Sequence, residues 1–155
     1  MRPRTSHTSM SFNDQGFSLL EVVVAISISA VLLGTVAMNY RGLLNPSQSG
    51  AATLAAFFKE ARARAVSTTS AYRVHPVTPT QVIASYGASC SSTPTQDTRL
   101  ILDLPQGVAL TDISWSTCFH ARGLADSNIT VTLIDDHGDT HDVEVFLGGA
   151  VRIDS

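Results

Sequence analysis

Gly16-Phe17-Ser18-Leu19-Leu20-Glu21-Val22-Val23-Val24-Ala25-Ile26-Ser27-Ile28-Ser29-Ala30 opens the stretch that decides the fold, and the chain stays largely apolar from there to Tyr40. From Phe17 to Tyr40 run 24 residues without a Pro, Lys or Arg. As a helix they span roughly 36 Å at about 1.5 Å per residue, enough to cross a bilayer. The run holds a single charge, Glu21. A carboxylate near hydrocarbon is costly unless a partner offsets it, so Glu21 demands a reason. Two ordinary readings fit poorly. A secretory signal would use Arg2 and Arg4 as its basic region and Thr35-Val36-Ala37 as a small-x-small cut, but its apolar core is usually shorter and seldom carries an acid. A simple uncleaved anchor leaves Glu21 equally unexplained.

The sequence Gly16-Phe17-Ser18-Leu19-Leu20-Glu21, followed by apolar residues, closely resembles the prepilin processing site of type IV pilins and pseudopilins. The resemblance implies that a membrane prepilin peptidase cuts after Gly16 on the cytoplasmic side and methylates the new amino-terminal Phe17. It also implies that Glu21 pairs with the terminal amine of a neighbouring subunit inside a helical filament. Physics agrees, because a buried acid is tolerable only when paired. The chain then divides into a leader at 1–16, a transmembrane and filament-core helix at 17–40, a bend and amphipathic continuation at 41–68, and a β-rich head at 69–155. The leader carries basic residues and stays inside, which puts the head on the periplasmic side of the inner membrane.

The 155 residues leave room for one small domain beyond the membrane helix and exclude a large enzyme core. The net charge is -3 with His neutral, and removing Arg2, Arg4 and Asp14 with the leader makes the chain slightly more acidic. Between Asp97 and Asp154 lie ten acids against only Arg99, Arg122 and Arg152. That part should repel nucleic acid on average. Cys90 and Cys118 sit in a head expected outside the cytoplasm, and no Cys-x-x-Cys pair points to redox or metal chemistry. A structural disulfide follows, worth about 3 to 4 kcal/mol in the chain-entropy model.

Gly42, Asn45, Pro46 and Gly50 are expected to interrupt or bend the helix where it leaves the membrane. From Ala51 to Thr68 the residues Leu54, Phe57, Phe58, Ala61 and Ala65 recur at helical spacing, one face to be covered by a sheet. Lys59, Arg62 and Arg64 read as a solvated face, with a partner-binding or DNA-binding strip as the alternative. Beyond Ser70 the period changes to two. The predicted strands are 71–75, 81–86, 99–104, 108–115, 129–135, 142–147 and 151–153, in an antiparallel sheet with a surface loop at 87–98.

Phe58-Lys59-Glu60-Ala61-Arg62-Ala63-Arg64-Ala65, Phe119-His120-Ala121-Arg122-Gly123, the hairpin from Ile129 to Leu147 and the terminal Gly148-Gly149-Ala150-Val151-Arg152-Ile153 are similar to the GspH and FimT branch. That branch comprises minor pseudopilins of type II secretion and minor pilins of type IV pili. The fold implied is α+β and type IV pilin-like: a long N-terminal helix packed on a small antiparallel β-rich head. The implied function is a structural and assembly subunit of a pilus or pseudopilus, placed at the filament tip. Its implied partners are other pilin subunits, the prepilin peptidase and the inner membrane, with no cofactor. Some members of the FimT side bind DNA for natural transformation through a C-terminal Gly-Arg-x-Arg element. Here the matching positions are Gly149-Ala150-Val151-Arg152, so only Arg152, with Arg122 and Arg99 nearby in type, could serve that alternative.

For catalysis the chain offers no Gly-x-Ser-x-Gly, no phosphate-cradling glycine loop and no His-Glu-x-x-His. The densest group of possible metal ligands is Asp135-Asp136-His137-Gly138-Asp139-Thr140-His141-Asp142. It reads better as a polar hairpin tip, since Asp, Gly and His suit turns.

Overall fold

The computed structural model describes residues 19–30 and 45–154. The leader, Gly16, Phe17 and the apolar run beyond Ala30 lie outside the described residues, as does the expected bend up to Leu44. The chain separates into two compact units between residues 43 and 44.

In the first unit residues 19–30 are helical, and Glu21 is exposed on this helix, α1. Its two serines turn their hydroxyls back onto the helix: Ser27 Oγ donates to Val23 O at 2.7 Å and Ser29 Oγ to Ala25 O at 2.8 Å. These bonds leave no hydroxyl proton needing an outside acceptor, which suits an apolar setting. Among the described residues no helix is long and apolar enough to cross a membrane.

The second unit begins with a helix, α2, over Pro46–Thr68. The helix starts five residues before the expected Ala51, because Asn45 and Pro46, read from sequence as breakers, instead form its cap and first turn. The Asn45 side chain accepts from Gln48 N at 3.3 Å, and Pro46 needs no intrahelical donor there. At the other end Thr69 enters the left-handed region at φ 52° and its N–H closes on Ala65 O.

Eight strands follow in two antiparallel sheets. The first sheet contains β1 (Ala71–Thr78), β2 (Gln81–Gly87), β3 (Thr95–Asp103) and β5 (Thr117–Phe119), in the order β3-β2-β1-β5. The second contains β4 (Val108–Leu110), β6 (Ile129–Asp135), β7 (Thr140–Val145) and β8 (Val151–Asp154), in the order β4-β6-β7-β8. The helix α2 packs against both sheets. Leu54, Phe58, Ala61 and Ala65 of α2 are fully buried together with Val74, Val82, Phe119, Leu133 and Val143 of the strands. Phe58 anchors this core, its ring 5.7 Å from Trp115 and 6.4 Å from Phe119.

The strand expected over 108–115 ends at Leu110. Asp112 takes over the local hydrogen bonding, accepting from Ser114 N at 2.8 Å and Ser114 Oγ at 2.8 Å, while Trp115 Nε1 donates to Asp112 O at 3.1 Å. An Asx turn of this kind competes with a ladder. The short β5 was not expected. It pairs with β1 from Tyr72↔Phe119 to Val74↔Thr117 and joins the chain back to the first sheet. The expected surface loop 87–98 is cut short, because β3 already begins at Thr95.

Candidate assembly surfaces and polar ties of the head

Cys90 and Cys118 are joined in a disulfide. It ties the Ser- and Thr-rich loop after β2 to β5, and Arg73 on β1 adds a guanidinium hydrogen bond to the Cys90 carbonyl.

The three cations of α2 are not one solvated face. Arg64 is held by Glu60 at 2.7 Å and by Asp97 of β3 at 2.8 Å. Tyr72 also donates to Asp97, at 3.4 Å. Burial pushes the Asp97 carboxyl up, but the Arg99 N–H and the Arg64 guanidinium outweigh it and hold the group below the ordinary carboxylate range. Burial raises the Tyr72 phenol, and the neighbouring carboxylate adds to the rise. This cross-tie links helix to edge strand under a groove of about 510 Å³. It was invisible in sequence, since Arg64 and Asp97 lie far apart in the chain.

Arg62 has a different task. Its Nε donates to Gly123 O at 2.9 Å and its Nη2 to Gly148 O at 3.4 Å. One guanidinium thereby clamps the turn after β5, in the first sheet, to the turn after β7, in the second. Gly123 and Gly149 both have positive φ, 77° and 73°. A Cβ on Gly149 would run into Gly123 O and stand 2.7 Å from Arg62 Nε, so the contact is built for glycine. Lys59, the third, is exposed and has no ion pair among the described residues.

At the hairpin tip between β6 and β7, Asp135 turns inward, its side chain 1% exposed. Burial raises its pKa, yet N–H groups of His137 and Asp139, at 2.9 and 3.0 Å, together with Ser47 at the start of α2, hold it below the ordinary range. His141 Nδ1 lies 3.1 Å from Ser47 Oγ. The inward half of the tip thus staples the hairpin to the helix N-terminus, where negative charge is favoured. Asp136, His137 and Asp139 face outward and are exposed. Among the described residues no three His, Cys, Asp or Glu side chains converge on a point that could hold a metal ion.

Two of the arginines named for nucleic acid, Arg152 and Arg122, are separated in role. Arg152 on β8 is paired to Glu144, its cross-strand partner, at 2.8 Å and to Asp154 at 3.3 Å, with its guanidinium carbon 5.7 Å from the Phe146 ring centroid. Arg122 is exposed beside Gly123.

Residues 11–37 match the family model described as the prokaryotic N-terminal methylation motif. The chain is similar in fold to the type IV minor pilin FimU of Pseudomonas aeruginosa, at TM-score 0.57 and 18% identity, covering 76% of this chain and 92% of that one. It is also similar to EpsH, a minor pseudopilin of the type 2 secretion system of Vibrio cholerae, at TM-score 0.55 and 10% identity, covering 72% and 98%. No protein of curated function matches the sequence. The fold is α+β and type IV pilin-like, with the antiparallel pairing expected from the strand periodicity.

Proposed function

We propose that this chain, which joins a pilin-type methylation motif to a type IV pilin-like head, is a minor pilin or pseudopilin, a subunit that assembles into a filament and turns over no substrate. One observation carries the reading. An apolar segment with a lone acid, Glu21, falls inside the methylation motif and precedes a head whose fold matches FimU and EpsH.

The residues divide the work as follows. Gly16 presents the cut to a prepilin peptidase, and Phe17 supplies the new amine, which the same enzyme methylates. Glu21, exposed on α1 in the single chain, pairs in the filament with the amine of a neighbour. Once both charges are buried, leaving one without the other is strongly disfavoured, so the pair fixes register. The apolar faces of the N-terminal helices bury one another, and the helix anchors the chain in the inner membrane before assembly. The disulfide stabilises the head in an oxidising compartment.

DNA capture for transformation is the lesser reading. The implied Gly-Arg-x-Arg element has Ala150 at its first arginine position, and Arg152 is already held by Glu144 and Asp154. Each missing phosphate contact removes about one unit of counterion release from the salt dependence of binding.

The test is the mass of the chain's N-terminus after co-expression with a prepilin peptidase. The account requires a terminus at Phe17 bearing one methyl group. A terminus at Met1, or one created after Ala37, would overturn it. Deletion of the gene then separates the two machines: loss of surface pili marks a pilus subunit, and retention of exported proteins with pili intact marks a secretion pseudopilin.

A further inference from the structure

The turns clamped by Arg62 form a corner of unusual surface chemistry. Val66 of α2, Leu124 and Leu147 are 51%, 48% and 52% exposed. They gather around one place, because Val66 Cγ2 would stand 3.0 Å from a Cβ on Gly123 and Ala125 N donates to Leu147 O at 3.0 Å. A shallow groove of about 400 Å³ lined by Lys59, Arg62, Ala63 and Val66 runs into the same corner. Lys59 and Arg62, with exposed Arg122 beside Gly123, give it positive charge, and no salt bridge to any of the three is present among the described residues. A positive, apolar-centred patch is out of keeping with a chain of net charge -3.

The head carries its complement at the other end. The β6–β7 tip presents Asp136 and Asp139, both exposed, beside Ile134, which is 36% exposed. The tip is stapled to the first turn of α2, whereas the corner sits near its last turns, roughly 20 Å along the helix axis at about 1.5 Å per residue. The β6–β7 hairpin spans the same distance, with 136–139 at one end and the turn after β7 at the other. Surfaces of opposite charge at opposite ends of one body can meet head to tail, a heterologous contact of the kind that builds an open row of subunits when its rotation does not close.

We propose that the corner of Lys59, Arg62, Val66, Leu124 and Leu147 docks the acidic hairpin tip, Ile134 to Asp139, of a second copy of this chain. The inference rests on the filament reading and adds the contact between heads. Arg62 is the positioning residue, holding both turns so that the apolar side chains share one face. Lys59 and Arg122 form the charged rim against Asp136 and Asp139, where complementary charge sets orientation and encounter rate.

Lys59 is the sole lysine of the chain, which makes the contact directly readable. The full processed chain, purified in detergent micelles as an equal mixture of ordinary and nitrogen-15-labelled protein, is treated with a carbodiimide, which joins a lysine amine to a carboxylate in contact. The expected product is an isotopically mixed amide between Lys59 and Asp136 or Asp139, reduced at least about fivefold in 0.5 M salt by screening. Lys59→Gln alone and Asp136→Asn/Asp139→Asn alone should each lose it to the same extent with unchanged circular dichroism. Mixing the two variants should restore a linked pair and no longer ladder, because each supplies one intact surface. Linkage only within a single copy, no linkage between folded chains, or a product that persists in both variants overturns the proposal. The Glu21→Ala chain separates the two readings. If it enters filaments normally while the Lys59 link still forms, the assembly account falls and the contact stands; exclusion of Glu21→Ala with no Lys59 link leaves the reverse.

Discussion

Gly149→Ala tests whether the Arg62 clamp is as tight as its geometry implies. At φ 73° an alanine meets the left-handed penalty, about 1 to 2 kcal/mol. Its Cβ also strikes Gly123 O and stands 2.7 Å from Arg62 Nε. Relief requires moving the carbonyl that accepts the 2.9 Å Arg62 bond, and losing a hydrogen bond to a charged group adds about 1.5 to 3 kcal/mol. The expected loss is therefore about 2.5 to 5 kcal/mol. Gly138 supplies the control, since its φ is 86° and nothing lies within 4 Å of an added Cβ. Gly138→Ala should lose only the backbone term, about 1 to 2 kcal/mol. The assay is thermal and urea unfolding of the head from residue 45, whose core contains no described residue before Ala51. At roughly 4 °C per kcal/mol for a domain of this size, the extra ~1.5 to 3 kcal/mol should make Gly149→Ala melt about 6 to 12 °C below Gly138→Ala. Equal melting temperatures for the two variants would refute the close-approach argument.

Phe58→Ala should cost the head about 3 to 5 kcal/mol in urea unfolding, because it empties the contact between Trp115 and Phe119. Replacing both Cys90 and Cys118 by Ser should cost about 3 to 4 kcal/mol for a sequence separation of 28, measured the same way under non-reducing conditions. The depressed carboxyl of Asp97 contributes stability that is full above the ordinary carboxylate range and is lost as pH falls through its lower folded value. Asp97→Asn should accordingly flatten the fall in melting temperature as pH drops below the ordinary carboxylate range, relative to the parent. An unchanged slope would show that Arg64 and the Arg99 N–H do not hold the charge.

Much of this molecule could be read before any coordinates, and the reasons are physical. The methylation motif was legible because a single acid, Glu21, in a long apolar run is costly and sets that stretch apart. The 129–135 strand was legible to the residue because period-two alternation is local. Cys90 and Cys118 were legible because two cysteines with no metal or redox motif around them have one way to pair. What escaped depends on partners distant in sequence. Nothing near Arg62 announces that its acceptors are the carbonyls of Gly123 and Gly148. Nothing near Thr117 announces a strand either, because β5 exists by pairing with β1 across more than forty residues. Asn45 and Pro46 were misread in sense: residues expected to interrupt a helix instead begin α2. Likewise Asp112 ended a strand that periodicity alone carried on to Trp115.

The central claim is that a processed chain enters a filament through Glu21. The most direct measurement compares sheared filaments from cells producing the parent chain with those from cells producing Glu21→Ala, after confirming that both begin at Phe17. The account predicts the parent chain in the filament fraction and the variant confined to the membrane. Equal amounts of the two in the filaments would contradict it.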